Sequence, residues 1–320
     1  MEQLTGKLFT KGKYILNEMK FKDENLILVA GSTGYIGSRL RVALEERGRR
    51  VRCLARRPEH ILPKVAPGTE VVKGDVLDRD SLVAAMEGVH TAYYLVHSMA
   101  SGPDFEERDR QAALNFAQAA LSAGVSKIIY LGGNGRGDGL SSHLASRQEV
   151  GRIFRESGVR AIEFRASIII GSGSLSFELI RALVERLPVM ITPRWVRTPA
   201  QPISVENVIE YLLQALDVDC RDNPVFEIGG ADIVSYLGIM RQYAARRGLR
   251  RLFIPVPILT PWLSSLWLAL VTPLYAKVGR QLIEGVRNDT TVQDTSARDH
   301  FTINPMGIAE AIDRAMNSED

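Results

Sequence analysis

Short runs of aliphatic and β-branched residues alternate with stretches of helical periodicity along residues 26–230. The runs predict strands at 26–31, 50–55, 70–76, 91–96, 127–133, 160–166 and 225–229. The intervening stretches predict helices at 36–47, 80–88, 105–123 and 142–157, and Gly48, Gly88 and Gly124 stop three of them. Strand–helix alternation at this spacing predicts a doubly wound α/β fold, with helices on both faces of a parallel sheet.

The regular alternation weakens after Gly171. Predicted helices at 175–187 and 204–216 flank a segment with four prolines, and residues 231–320 have a mostly helical pattern. We therefore expect a smaller, mostly helical C-terminal lobe over the carboxyl edge of the sheet. The predicted division is an N-terminal extension (1–24), a sheet domain (25–174 and 200–230) and a substrate lobe (175–199 and 231–320).

Composition and charge exclude several classes of protein. The chain is 45% hydrophobic and 24% charged, as globular proteins are, and its net charge of +3 is too small to predict a nucleic-acid partner. Only Cys53 and Cys220 occur, without a CxxC pair or a Cys/His cluster. We predict neither a disulfide framework nor a metal site, and this cysteine usage favours the cytoplasm.

The segment GSTGYIG follows the first predicted strand and opens the first predicted helix. Gly31 suits a tight turn, Gly34 lets the backbone approach a pyrophosphate, and Gly37 lets the helix lie close to the sheet. Free amides and the positive end of the helix dipole then bind the phosphates. This pattern predicts a Rossmann dinucleotide site made by Gly31, Ser32, Thr33, Gly34, Tyr35, Ile36 and Gly37.

The end of the second strand indicates which dinucleotide binds. An NAD site carries Asp or Glu about 20 residues after the glycines, where it binds the ribose hydroxyls. Here the sequence is CLARRP, with Arg56 and Arg57 in place of the acid. Two guanidiniums suit a 2′-phosphate, so we expect NADP(H), with NAD(H) as second choice. The alternative is that one or both arginines point into solvent.

The third strand ends at Gly74 and Asp75. Asp75 is placed to bind the adenine amino group, with the Val76 backbone beside it. The alternative is that Asp75 caps the helix that follows.

These motifs, in this order, resemble the atypical and extended short-chain dehydrogenase/reductases, especially the NmrA-like group of NAD(P)-binding proteins. The resemblance covers residues 25–230 and rests on GSTGYIG, RRP, GDV, AGVSKIIYLGG, RASIIIGSGS and PISVENV. It implies that residues after strands four, five and six line the nicotinamide half of the site, namely Leu95, Val96, His97, Gly132, Ala166, Ser167 and Ile168.

The resemblance fails at the catalytic residues. Such enzymes typically use a Ser after strand five and a Tyr followed four residues later by Lys. Here HLASR has His143 and Arg147 at the Tyr and Lys positions, and the Ser position falls at Gly133 or Asn134. One hypothesis is that His143 donates a proton, Arg147 holds the ribose and Asn134 donates a hydrogen bond. The other is that Arg147 only binds cofactor and His143 has no chemical role.

Two neighbouring features are interpreted as structural and not as catalytic. His97 is a second histidine near the nicotinamide, although a packed histidine bonded to the backbone is the favoured interpretation. In the predicted helix 105–123, the polar residues, including Asp109 and Asn115, are interpreted as a solvated face opposite the Ala, Leu and Phe residues.

No charged residue occurs from Leu252 to Ala276, but four prolines interrupt this stretch. A transmembrane helix needs about 20 unbroken apolar residues, so we do not expect it to span a membrane. Three interpretations stay open: core of the lobe, the lining of a pocket for a lipophilic substrate, or a membrane-surface or subunit contact.

Two functions follow from these patterns. The first is an NADP(H)-dependent oxidoreductase, or a related epimerase or dehydratase, acting on a small hydrophobic carbonyl, enone or quinone-like compound. The second is a non-catalytic NADP(H)-binding sensor or assembly protein. The apolar lobe favours the enzyme, whereas the missing Ser and Tyr favour the sensor.

Overall fold

A parallel sheet lies at the centre of the computed structural model, which describes residues 23–97, 104–137, 139–218, 221–256 and 288–318. In chain order the strands are β1 (Asp23–Ala30), β2 (Arg49–Ala55), β3 (Glu70–Lys73), β4 (Val89–Tyr94), β5 (Lys127–Gly133), β6 (Arg160–Ala166), β7 (Ile169–Ile170), β8 (Val189–Pro193), β9 (Pro199–Ala200), β10 (Ile203–Ser204), β11 (Val225–Ile228), β12 (Val234–Ser235) and β13 (Leu252–Val256). The helices are α1 (Tyr35–Glu46), α2 (Arg79–Ala85), α3 (Phe105–Ser122), α4 (Ser142–Arg155), α5 (Leu175–Arg186), α6 (Val205–Gln214), α7 (Tyr236–Arg246), α8 (Ala297–His300) and α9 (Ile308–Asn317).

Seven of these strands form the main sheet, in the order β11-β6-β5-β4-β1-β2-β3. Every pair in it is parallel. This topology confirms the predicted doubly wound α/β class. The chain reverses its direction of progress between β1 and β4, and such a switch point opens a crevice at the carboxyl ends of the strands.

Hydrophobic cores lie on both faces of the sheet. One core packs α1 and α6 against the strands through residues such as Leu40 and Val208. The other packs α2, α3 and α4 through Leu82, Phe116 and Phe154. Because both faces are covered, the strands read as continuous apolar runs, as buried parallel strands do.

A third core joins α5, α7 and α9 in the C-terminal part of the chain. Two details differ from the sequence prediction. Leu252–Val256 is a strand that pairs in parallel with β8, and this strand was not predicted within residues 231–320, whose pattern is mostly helical. Phe301, assigned to the lobe, packs instead beside the sheet, with its ring 5.3 Å from that of Phe164 and 5.4 Å from that of Tyr211.

Two segments interpreted from the sequence, 1–24 and 252–276, lie partly outside the described residues. Residues 1–22 of the predicted extension lie outside them, and β1 already begins at Asp23, inside that predicted segment. Residues 257–276 of the uncharged stretch also lie outside. Within the part of the chain that the structure describes, no helix has the length and apolar character needed to cross a membrane.

Helix α4 lies close to the sheet because Gly151 has no side chain. A Cβ there would lie 2.6 Å from Glu163 Oε1, with other carboxylate atoms closer still. Glu163 is buried and cannot move aside easily, because it pairs with Arg155 and accepts a 2.7 Å hydrogen bond from Arg165 Nε.

We expect Gly151→Ala to lower the free energy of unfolding by about 1–3 kcal/mol, the usual cost of overpacking. Urea unfolding measures it. The matched control is Gly139→Ala, since a Cβ at Gly139 has no atom within 4 Å. Equal stability of the two variants would show that α4 has room to shift.

Candidate coenzyme site

A cavity of about 770 Å³ opens at the carboxyl ends of the central strands. It is lined by seventeen of the predicted site residues: Gly31, Thr33, Gly34, Tyr35, Ile36, Arg56, Asp75, Val76, Leu95, Val96, His97, Gly132, His143, Arg147, Ala166, Ser167 and Ile168. These residues come from loops that follow β1 to β6 and from the start of α4. The fold thus gathers segments more than a hundred residues apart into one cleft.

The turn between β1 and α1 requires glycine at its first position. Gly31 has φ +92°, and a Cβ there would lie 2.6 Å from the Leu95 carbonyl oxygen. The Gly34 amide donates a 2.9 Å hydrogen bond to the Gly31 carbonyl, and Gly34 is the N-cap of α1 without a side-chain cap. The amides of the first turn are therefore open to an anion, which the helix dipole also favours.

Two residues of the GSTGYIG segment support the loop from outside the cavity. Gly37 lies in α1 against the loop, where a Cβ would lie 2.7 Å from the Gly31 carbonyl carbon. Ser32 is buried, and its Oγ donates a 3.4 Å hydrogen bond to the Leu54 carbonyl. Neither lines the cavity, so their contribution is to hold the backbone of the turn.

The two arginines after β2 differ in position. Arg56 lines the cavity with an exposed side chain that makes no ion pair with any described residue. Arg57 is also exposed, but it precedes the short 3-10 helix Pro58–His60 and does not line the cavity. Of the predicted pair, only Arg56 lines the cavity.

The segment after β3, where the adenine is expected to bind, forms part of the cavity wall. Asp75 lines the cavity, and its Oδ1 accepts a 3.0 Å hydrogen bond from the Leu77 amide. Asp78, not Asp75, caps α2 by accepting a bond from the Ser81 amide. The capping alternative for Asp75 is therefore wrong.

The opposite end of the cavity holds two imidazoles and a guanidinium. His143 and Arg147 lie on α4, one turn apart, and the rings of His97 and His143 are 6.2 Å apart. His143 Nδ1 and Arg147 Nε are buried and have no hydrogen-bond partner among the described residues. The Tyr35 hydroxyl, at the start of α1, is a third such atom, and burial raises its pKa to about 12.

The turn between β1 and α1 tests whether a dinucleotide fits the cavity. Side chains at Gly31 and Gly37 would clash with backbone atoms, so the turn lies close-packed, and the first amides of α1 have no side-chain cap. Five buried side-chain polar atoms lack a partner in the described chain, and three of them belong to residues of the cavity wall. A glycine turn with open amides, in a cleft lined by residues from Arg56 to His143, fits a dinucleotide.

Asn134 does not reach the cavity. Its side chain is buried and donates hydrogen bonds of 3.3 and 3.1 Å to the carbonyl oxygens of Thr290 and Thr291. The expected bond from Asn134 to substrate is therefore not made, because its amide holds the C-terminal segment against the sheet. Ser167 is held by the same segment through a 2.6 Å contact with Thr290 Oγ1.

Helix α3 contributes to the cavity wall through a residue whose burial the sequence did not predict. Asp109 and Asn115, expected on a solvated face, are buried. Asp109 lines the cavity and accepts a 3.3 Å hydrogen bond from Ser146, while Asn115 donates to the carbonyls of Val76 and Leu77. A signal existed for Asp109, since it falls on the helical stripe of Ala112, Ala113 and Phe116.

Comparison with known proteins identifies the family of this chain. The model of the NmrA-like family matches residues 23–214, which is more than half of the chain. The chain belongs to the NmrA-like family. Solved structures of similar fold include the Citrobacter sp. triphenylmethane reductase complexed with NADP(H), with a TM-score of 0.74 and 15% identity over 90% of this chain and 99% of that one.

A second solved structure of the same fold is the NADPH-dependent quinone oxidoreductase of Escherichia coli in complex with NADPH. Its TM-score is 0.72, at 16% identity over 91% of this chain and all of that one. Both structures share the fold of this NmrA-like chain and contain a nicotinamide dinucleotide phosphate. At 15% and 16% identity, these likenesses show a shared fold.

Curated relatives match a shorter part of this NmrA-like protein. A 3β-hydroxysteroid dehydrogenase/Δ5→4-isomerase of Mycobacterium tuberculosis is 30% identical over 118 residues, 34% of this chain and 31% of the relative. Cinnamoyl-CoA reductase 1 of rice, Oryza sativa subsp. japonica, is 30% identical over 115 residues, 34% of each chain. The chain thus matches about a third of the length of these relatives.

The space beside Gly133, one of the two positions expected for a catalytic Ser, is filled by other side chains. A Cβ at Gly133 would lie 2.7 Å from Leu144 Cδ2 and 3.3 Å from Arg147 Cδ. A side chain at Gly133 would therefore meet Leu144 and Arg147.

His143 is neutral at physiological pH. Burial, with the positive charge of Arg147 as a second cause, lowers the pKa of His143 to about 4. An imidazolium is then a minor species near pH 7, so the ring can offer an N–H donor or a nitrogen acceptor but rarely a full acid. The hypothesis that His143 donates a proton is therefore limited, near pH 7, to a hydrogen bond from the neutral ring.

The same pKa makes stability depend on pH. Between about pH 6.5 and pH 4 the unfolded chain protonates this histidine while the folded chain does not, so stability falls as the pH falls. We expect His143→Phe to remove about 1–3 kcal/mol of that loss, discounted for partial exposure. Urea unfolding of both proteins at pH 7 and pH 4.5 measures the difference, and parallel losses would contradict it.

Proposed function

We propose that this protein is an NADP(H)-dependent oxidoreductase that acts on a small hydrophobic carbonyl, enone or quinone-like compound. The observation that carries the proposal is Arg56, an exposed guanidinium in the cavity wall where an NAD site would have a carboxylate. A charge-assisted bond to a 2′-phosphate is worth about 1.5–3 kcal/mol, or one to two orders of magnitude in affinity.

Different residues of the cleft bind different parts of the dinucleotide. The amides of the turn from Gly31 to Tyr35 bind the pyrophosphate, and Asp75 accepts from the adenine amino group. Arg147 binds the nicotinamide ribose, because its charged side chain lines the cavity on the same helix as His143. Bound NADPH supplies a hydride, and the protein supplies orientation and exclusion of water.

The substrate is proposed to lie beside His143, against apolar residues of the cavity wall. Ile168, Ile169 and Leu175 are among the apolar residues of this wall. The neutral imidazole of His143 can donate a hydrogen bond to a carbonyl oxygen and polarise it. Arg147 stays charged, because arginine does not lose its proton in proteins, and it therefore acts as a binding group.

The decisive assay is NADPH oxidation with a panel of quinones, aldehydes and enones. Once an acceptor is found, we expect His143→Phe to lower kcat by about a hundredfold, the low end of the effect of one positioned proton donor or acceptor. His90→Phe is the matched control, because His90 is exposed and outside the cavity wall. Unchanged turnover in His143→Phe would exclude a chemical role for that ring.

A second candidate function is a coenzyme sensor without turnover. It is favoured by the replacement of the catalytic Tyr by His143, whose pKa near 4 leaves little acid form at pH 7. Tight NADPH binding with no oxidation by any acceptor would support the sensor. Loss of NADPH binding in Arg147→Ala would then still be expected, since that residue holds the coenzyme in both functions.

A further inference from the structure

Four aliphatic side chains are exposed together on the small parallel sheet of β8 and β13. Their exposed fractions are 45% for Val189, 42% for Ile191, 58% for Leu252 and 41% for Ile254. Leu252 pairs with Val189 and Ile254 with Ile191, so all four lie on one face. We call them the aliphatic patch. Of the ten large hydrophobic residues exposed in the described chain, four lie on this one small sheet.

The sheet that bears the patch is firmly attached to the lobe. On its inner face Met190 is buried in the third core, and Phe253 packs against the same core. Thr192 Oγ1 also donates a 3.2 Å hydrogen bond to the Ile254 carbonyl. The outer aliphatic face is therefore a fixed surface, and its exposure is costly unless something covers it.

Arginine is frequent in the two segments that carry the patch. The segments 186–200 and 241–256, which contain the two strands, include eight arginines and neither Asp nor Glu. Two of the eight, Arg246 and Arg247, pair with Asp313 and Glu185 from neighbouring segments. Arg194 and Arg197 follow β8, and Arg250 precedes β13. All three are exposed and make no ion pair with the described residues. We call these three residues the basic rim.

We propose that the aliphatic patch and the basic rim dock on an anionic lipid surface. Aliphatic side chains of a peripheral protein enter the boundary between headgroups and acyl chains, while arginines bind the lipid phosphates. Strand β13 also begins the stretch without charge, for which a membrane-surface contact was one interpretation. The inference is independent of the proposed enzymatic activity.

Charge argues against a second copy of the chain as the covering partner. A two-fold contact through the patch would bring one basic rim close to the other, and like charges across an interface oppose association. An anionic bilayer presents the complementary charge. The chemistry of the rim therefore selects lipid over self-association.

Vesicle co-sedimentation of the full chain tests the proposal. We expect binding to vesicles of phosphatidylcholine with phosphatidylglycerol in equal parts, weak binding to phosphatidylcholine alone, and loss of binding at high salt. Leu252→Ser/Ile254→Ser and Arg194→Glu/Arg197→Glu should each lower the partition coefficient by at least about tenfold. The matched controls are Leu62→Ser/Leu121→Ser, two aliphatic residues exposed elsewhere, and Arg79→Glu.

Three results would overturn the proposal. They are no binding to the anionic vesicles, equal losses in the control variants, or a change from dimer to monomer by light scattering in Leu252→Ser/Ile254→Ser without vesicle binding. The last result would assign the patch to a second copy. Circular dichroism and NADPH titration of each variant separate a docking defect from misfolding or failure of the coenzyme site.

Discussion

Replacing Gly37 by alanine is expected to raise the dissociation constant for NADPH at least about a hundredfold, or about 2.7 kcal/mol. The new methyl group would lie 2.7 Å from the Gly31 carbonyl carbon and closer still to its oxygen. Because both atoms are backbone, either the loop or α1 has to shift. The amides that bind the pyrophosphate would then lose their alignment, and hydrogen bonds weaken steeply with misalignment.

The control for this prediction is Gly139→Ala, where a methyl group meets no atom within 4 Å. Fluorescence titration with NADPH measures the affinity, and circular dichroism checks that both variants are folded. An affinity in Gly37→Ala within threefold of the unaltered protein would mean that the turn is not the phosphate site.

Arg56→Glu is expected to erase, or slightly reverse, the preference for NADPH over NADH. The substitution removes the guanidinium from the cavity wall and introduces the carboxylate that suits free ribose hydroxyls. We expect NADPH affinity to fall by about 10–100-fold, with NADH affinity unchanged or improved. Salt should weaken NADPH binding to the unaltered protein more than to the variant.

Arg57→Glu is the matched control, since Arg57 is equally exposed but does not line the cavity. It should reduce NADPH affinity only a few-fold, through the general field of one charge. If the two variants lose the same affinity, the local bond to Arg56 is not the source of discrimination.

The sheet domain could be predicted closely from the sequence because its signals are local. The strands predicted at 127–133 and 160–166 have those bounds in the structure, and the GSTGYIG turn lies at the carboxyl end of β1 as expected. Continuous apolar runs, glycine helix stops and a phosphate turn are each readable within a few residues. The order of such units largely determines a doubly wound fold.

Features that depend on distant partners could not be predicted in this way. Leu252–Val256 is a strand only because it pairs with Val189–Pro193, a distant part of the chain. The prolines in and after Leu252–Val256 argue against a strand there. Asn134 has a typical position for a catalytic donor, yet its amide is used by Thr290 and Thr291 from far along the chain. The pKa of His143 depends on burial and Arg147, which helical spacing alone does not give.

The central claim is that the cleft binds a nicotinamide dinucleotide and recognises its 2′-phosphate. Isothermal titration of the unaltered full chain with NADPH and with NADH tests this claim most directly. We expect both to bind at one site per chain, NADPH at least about tenfold more tightly. Equal affinities would contradict the role of Arg56, and no binding of either coenzyme would contradict the whole assignment of the cleft.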